Sequence, residues 1–256
     1  MNIDVLSGIM IPFFGTTLGA SLVLFMKRGF NFFIEDFLTA MSGGIMTAAS
    51  VWSLIIPAVE KSEHMGRLAF LPCCVGMALG CVFMMALSGG TRRLFAIRQS
   101  ETPEYKNLSS VMAVTIHNIP EGMAVGCVYA AAIGGEGDHL YAAALVLSLG
   151  IAVQNIPEGA VISMPLYAQG LGKTKALITG VLSGIVEPFG ALTALLMSKA
   201  IGAMLPYFLS FAAGTMLFVV SQEMLAEIRY KGKLPLRGIA FTLGFMVMMS
   251  LDVALS

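Results

Sequence analysis

Two hexapeptides hold most of the chemistry in this chain. They are His117-Asn118-Ile119-Pro120-Glu121-Gly122 and Gln154-Asn155-Ile156-Pro157-Glu158-Gly159, identical at five of six positions and offset by 37 residues. In each, the carboxylate follows an amide by three residues and a second polar side chain, His117 or Gln154, by four. Positions three and four apart are neighbours on a helix surface, so each hexapeptide presents its polar groups on one face. Each proline also leaves the carbonyl four residues earlier, that of Ile116 or Val153, without its helical donor. A third carboxylate follows in Glu187-Pro188. Together these are three carboxylates, one imidazole and three side-chain amides, with no fixed cation among them. Ionised and close together at low dielectric, the carboxylates would repel one another, so protons or a cation must neutralise them. Imidazole beside carboxylate suits Zn²⁺, Fe²⁺ or Mn²⁺, whereas an oxygen-only set suits Mg²⁺ or Ca²⁺. Two carboxylates on adjacent helices could also bridge two ions.

The elements that must position these groups follow from composition. Of 256 residues, 57% are hydrophobic and only 12% charged, about half the usual quarter for a globular domain. The mean hydropathy is +0.85. These figures exclude a soluble globular fold, a disordered chain, a collagen-like fibre and a coiled coil. Fifteen Lys+Arg against fifteen Asp+Glu leave no basic excess for nucleic acid. Cys73, Cys74, Cys81 and Cys127 all lie in apolar runs without CxxC spacing, which reads as free thiols packed as small hydrophobes. Asp4 stands where a signal peptide would be basic, so no cleavable signal is expected.

A spanning helix needs about 20 mainly apolar residues. Eight stretches qualify: 5–26, 37–58, 68–88, 109–132, 140–168, 176–198, 203–225 and 238–255. The longest connection, 89–108, is expected to be a loop, and residues 1–256 form a single polytopic domain. The fifth stretch is longer than a bilayer requires, which implies tilt, a kink or a misplaced boundary. Lys27, Arg28, Arg92, Arg93, Arg98, Lys106, Lys173, Lys175, Arg229, Lys231, Lys233 and Arg237 flank the odd-numbered connections; Lys61, Arg67 and Lys199 flank the even ones. Positive loops stay in the cytoplasm, so both termini are expected outside. The fold class is therefore an all-α integral membrane protein with eight transmembrane helices, multi-pass in the cell (inner or plasma) membrane, with the lipid bilayer as its first partner.

The midpoints of spans four, five and six fall near residues 120, 154 and 187, which puts Glu121, Glu158 and Glu187 at one depth. A charged group at the bilayer centre costs about 2.5–3.5 kcal/mol on the insertion scale, so three of them call for a function. His64 with Glu60 and Glu63 reads as an exposed charged loop at the outer end of span two. Glu223 and Glu227, four apart near the inner end of span seven, form a candidate release site.

HNIPEG in the fourth span followed by a related NIPEG in the fifth resembles the ZIP family (Zrt-, Irt-like proteins), prokaryotic type, and the resemblance covers the whole chain. It implies a transporter, not an enzyme, that carries divalent transition metals, chiefly Zn²⁺, towards the cytosol without a prosthetic group. It implies a binuclear site: His117, Glu121, Gln154 and Glu158 hold one ion, while Asn118, Asn155 and Glu187 hold the second, with Glu121 and Glu158 bridging. In such proteins a methionine of span two joins the first site; Met46 is the match. The His-Glu pair usual near the inner end of span seven reads Gln222-Glu223 here, and the His-rich loop of eukaryotic members is absent from 89–108. The resemblance also suggests a homodimer. Fe²⁺, Mn²⁺ and Cd²⁺ remain alternative cargoes, since ligand lists do not decide between such metals.

Two rival readings use the same carboxylates. A proton-coupled transporter of an organic cation would need an aromatic cage, yet neither hexapeptide holds an aromatic and the one tryptophan is Trp52. An intramembrane metalloenzyme would need a fuller imidazole shell than His117 alone provides, and no HExxH occurs.

Overall fold

The computed structural model describes residues 3–27, 32–97, 103–134, 138–197, 204–224 and 234–255. Every regular element among them is a helix. They are α1 (Ile3–Ser21), α2 (Phe32–Ala49), α3 (Ile56–Glu60), α4 (Phe70–Ile97), α5 (Pro103–Gly134), α6 (Asp138–Ala168), α7 (Lys173–Gly184), α8 (Val186–Leu196), α9 (Leu205–Val219) and α10 (Leu234–Leu255). A single 3₁₀ turn extends α1 to Leu24, and a π-helical turn, Ser50–Ile55, joins α2 to α3. Pro57 lies just beyond that turn and cannot donate to the Ser53 carbonyl; the wider turn accommodates the missing bond.

The helices differ from the expected spans in instructive places. Of residues 89–108, expected to be a loop, 89–97 and 103–108 are helical: α4 runs to Ile97 and α5 begins at Pro103, and 98–102 lie outside the described residues. Leu94, Ala96 and the arginines are good helix formers that continue a helix beyond the apolar run, and proline is well suited to a helix's first position. The sixth stretch is two helices broken at Ile185, whose N–H bonds the Leu182 carbonyl at 3.3 Å. Pro188 removes the donor for Gly184 and loosens the turn there. By contrast α5 and α6 run unbroken through Pro120 and Pro157, the neighbouring helices supporting the gaps.

Seven of these segments are long and apolar enough to cross a membrane: Ile3–Leu24, Asp36–Glu60, Phe70–Gly90, Leu140–Ala168, Lys173–Leu196, Leu205–Gln222 and Pro235–Ala254. The 32-residue α5, which carries His117, Asn118 and Glu121, is not one of the seven. Leu79, Val82 and Met85 on α4, Phe14 and Leu18 on α1, and Phe189 and Leu196 on α8 face outward, while Asn118, Glu121, Gln154, Asn155 and Glu187 are fully buried. A soluble protein distributes these residue types the other way round. The four cysteines are free thiols.

The helices sort into two groups by whom they touch. α1 lies along α6 and α5 along α8, with α7 against α1, α6 and α5. In the second group α2 lies along α10 and α4 along α9, with α9 also meeting the π-helical turn. Lipid tails give apolar helices no hydrophobic reason to associate, so close backbone packing must hold them. Glycines permit it within both groups. A Cβ on Gly122 would stand 2.1 Å from the Glu187 carbonyl oxygen, and one on Gly244 would stand 2.0 Å from that of Met41. Between the groups α2 also lies along α6 and α9 meets α5, and Gly150 of α6 faces the Met248 side chain of α10.

Candidate metal site

The three glutamates lie inside the first group, on α5, α6 and α8. The Gly122 contact sets the spacing, because it presses α5 onto the backbone of Glu187 itself. Gln154 then links the two motif helices. Its Nε2 donates to Glu121 Oε1 at 2.6 Å and to Glu158 Oε1 at 3.3 Å, with a long 3.5 Å contact to Asn155 Oδ1. Asn118 ties α5 to α7 and α8, its Nδ2 donating at 3.1 Å both to the Ser183 carbonyl and to Glu187 Oε1. His117 is 8% exposed and lies one helical turn before Glu121 on α5. The shared Gln154 amide brings the Glu121 and Glu158 carboxylates together. The structure thus gathers His117, Asn118, Glu121, Gln154, Asn155, Glu158 and Glu187 into one buried cluster.

Two members of that cluster were not anticipated from the sequence. Ser42 of α2 donates to Glu158 Oε1 at 2.9 Å, and Thr16 of α1 donates to Glu187 Oε1 at 2.6 Å. Both residues are fully buried. The available signal was a hydroxyl in an apolar span, which is common and uninformative on its own.

Every donor named so far reaches Oε1. The opposite oxygens, Glu121 Oε2, Glu158 Oε2 and Glu187 Oε2, are buried with no hydrogen-bond partner, as are Gln154 Oε1 and Asn118 Oδ1. Burying an acceptor without a partner costs about 1–3 kcal/mol, and more if it is charged. Five such acceptors lie in one cluster, beside the unpartnered Asn155 Nδ2, and oxygens so placed suit a cation. Among the described residues no group of three or more His, Cys, Asp and Glu side chains forms a ready-made metal cage; what converges here is carboxylate mixed with amide.

The remaining expected ligands are placed less directly. Met46 is buried on α2 one turn beyond Ser42, hence on the face that touches Glu158. Glu223 belongs to a π-helical turn, Val220–Met224, that follows α9, and its side chain lies outside the described residues, as does Glu227. Glu60, Glu63 and His64 are exposed. Trp52 packs edge-on against Phe245, ring centroids 5.4 Å apart, and so is already engaged away from the hexapeptides.

An all-helical chain with lipid-facing apolar residues and a half-satisfied polar heart is a multi-pass membrane protein of the transporter class. Comparison with known proteins is specific about which. Residues 98–252 match the family described as ZIP Zinc transporter. The chain is 31% identical to the human (Homo sapiens) zinc transporter ZIP11, over 94% of each protein. It is 36% identical to the zinc transporter GufA of Myxococcus xanthus over 80% of each, and 32% identical to the zinc transporter ZIPB of Bordetella bronchiseptica over 95% of this chain and 78% of that one. The chain belongs to the ZIP family of metal transporters, and it is not an enzyme.

Proposed function

We propose that this protein carries divalent transition-metal ions, chiefly Zn²⁺, across the cell membrane into the cytoplasm, and that the buried cluster on α5, α6 and α8 is where the ion rests midway. The observation that carries this reading is the set of five orphaned acceptors, Glu121 Oε2, Glu158 Oε2, Glu187 Oε2, Gln154 Oε1 and Asn118 Oδ1. A cation of charge two satisfies them and relieves the repulsion between the carboxylates in one step. Zn²⁺ accepts carboxylate oxygen at about 2.0–2.2 Å and imidazole nitrogen at similar distance, which suits His117 beside Glu121 and Glu158. Asn118, Asn155 and Glu187 complete a second position, with Glu121 and Glu158 shared between two ions. Met46 supplies a thioether from α2.

Counting α5 as an eighth span puts both termini outside and the basic connections in the cytoplasm. The metal enters from the outer side, sheds water onto the cluster and leaves inward as the two helix groups shift against each other. The meeting of Gly150 with the Met248 side chain supports that motion, because methionine side chains yield where glycine-packed backbones do not. Carboxylates that release a cation into the cytoplasm exchange it for protons, so flux should respond to an imposed pH gradient.

The test is Zn²⁺ entry into proteoliposomes loaded with a metal-sensitive dye. Saturable entry is expected for the wild type and lost in Glu158→Ala. Wild-type vesicles that take up neither Zn²⁺ nor Fe²⁺, Mn²⁺ or Cd²⁺ would overturn the proposal.

A further inference from the structure

The cluster is asymmetric in a way that the hexapeptides do not explain. Glu121, Glu158 and Glu187 each have one oxygen occupied by donors and one left bare. For Glu121 the donor is the Gln154 amide. For the other two the shortest contact comes from a hydroxyl on a different helix, Ser42 of α2 on Glu158 and Thr16 of α1 on Glu187. The amides are shared: Gln154 Nε2 is divided among Glu121, Glu158 and Asn155, and Asn118 Nδ2 between Glu187 and the Ser183 carbonyl. Thr16 donates to Glu187, and Ser42 adds to its bond with Glu158 a longer contact of 3.4 Å to the Gln154 carbonyl.

We infer that Ser42 and Thr16 are selectivity residues for the transported metal: as the shortest donors to Oε1 of Glu158 and Glu187, beside the longer amide contacts of Gln154 and Asn118, they hold each carboxylate turned to bind through Oε2. This rests on the transport reading given above. The consequence is one of coordination number. A carboxylate that offers one oxygen suits an ion satisfied by about four ligands, as Zn²⁺ is. Ca²⁺ takes about six to eight oxygens and makes use of bidentate carboxylates, and Mn²⁺ likewise favours oxygen-rich, octahedral surroundings. With the hydroxyls in place, the larger ions are denied two oxygens that lie within the cluster. With the hydroxyls removed, only the longer amide contacts of Gln154 at 3.3 Å and Asn118 at 3.1 Å stay on those oxygens, and both carboxylates turn more readily to chelate.

Other hydroxyls show that this use is not a general habit of the fold. Ser50, Thr115, Ser148 and Thr193 each donate to the carbonyl four residues back in their own helix. Ser42 and Thr16 sit on helices where the same bond was available, yet they reach across to a carboxylate. Thr16 also packs its methyl against Gly184, so the informative substitution there keeps the shape and removes only the oxygen.

The experiment is uptake from an equimolar mixture of Zn²⁺, Mn²⁺ and Ca²⁺ into proteoliposomes, with retained metal measured by mass spectrometry. The proteins compared are wild type, Ser42→Ala, Thr16→Val and the hydroxyl-keeping Ser42→Thr and Thr16→Ser. The expected result is a fall of about tenfold in Zn²⁺-over-Mn²⁺ preference for each hydroxyl-free variant, equivalent to one differential contact of ordinary strength, with Ca²⁺ moving the same way. The hydroxyl-keeping variants should retain the wild-type ratio. A hydroxyl-free variant that is slower for all three ions at an unchanged ratio would overturn the inference, because a merely structural role predicts that outcome. Should Ser42→Ala fail to fold, Thr16→Val alone decides by the same ratio. Wild-type vesicles that admit no transition metal would instead remove the transport reading beneath it, and the two failures are thereby distinguished.

Discussion

The two helix groups are built by the same packing rule but use their polar residues in opposite ways. In the group of α1, α5, α6, α7 and α8, carboxylates and amides sit in the interior and several of their atoms lack partners. In the group of α2, α4, α9 and α10, the charged contacts that are resolved lie towards the ends and are paired. Arg237 bonds Asp36 at 2.5 Å near the starts of α10 and α2, and Ser53 donates to Asp252 at 2.8 Å near the end of α10. Glycine-mediated contact holds each group together, as at Gly122 in the first and Gly244 in the second. Shared packing therefore builds the scaffold, and among the described residues the buried carboxylate and amide oxygens without partners all lie in the first group. Real proteins tend to break the rules of polar satisfaction at functional sites and recover the cost elsewhere.

The comparison breaks first if the packing is not shared. Gly122→Leu and Gly244→Leu should each destabilise the fold by about 4 kcal/mol or more, since a side chain must displace backbone. Gly89, whose Cβ would meet nothing within 4 Å, should accept leucine freely. Thermal unfolding in detergent separates the three; a tolerant Gly244→Leu would mean that the second group is held together by something else.

The next test sets cargo against fold. Glu121→Gln removes a buried charge that has one orphaned oxygen, so transport should fall by about a hundredfold or more while the melting temperature holds or rises. Arg237→Ala removes the guanidinium that bonds Asp36 in a largely buried setting, side-chain exposures 12% and 10%. It should cost about 1–3 kcal/mol of stability, between the values for exposed and buried pairs, and leave transport per folded protein within about threefold of wild type. Uptake and melting measured on both variants would reveal a reversal, in which case the division of labour is wrong. The smallest effect is expected at Met46, which reaches towards the site from the second group. Met46→Leu keeps the volume and loses the sulfur, and should raise the KM for Zn²⁺ by about threefold, with little change in stability.

Much of the site was legible because burying a carboxylate in lipid is costly and the cost is written twice, at Glu121 and Glu158, in matching surroundings. Seven of the eight expected spans were legible for the same reason of hydropathy, while the fourth, 109–132, falls in α5, which is not among the segments long and apolar enough to cross. Hydropathy also misled: Leu94 to Ile97 are helical although the apolar run had ended, and the break in the sixth span at Ile185 leaves no trace in apolar content. The prolines at 120 and 157 leave the Ile116 and Val153 carbonyls without helical donors, yet α5 and α6 run straight through them. Ser42 and Thr16 could not be singled out, because a hydroxyl in a membrane helix usually bonds its own backbone, as Ser148 and Thr115 do here. Only the arrangement of α1 and α2 around α6 and α8 turns these two towards carboxylates.

The central claim is that the orphaned oxygens of the first group hold the transported ion. The most direct measurement is an anomalous-difference map at the zinc edge from crystals of the protein grown with Zn²⁺. The expected result is density within about 2.0–2.2 Å of Glu121 Oε2 and Glu158 Oε2, with His117 on the same ion. Zinc found only at surface residues such as His64, with the cluster empty at saturating metal, would contradict it.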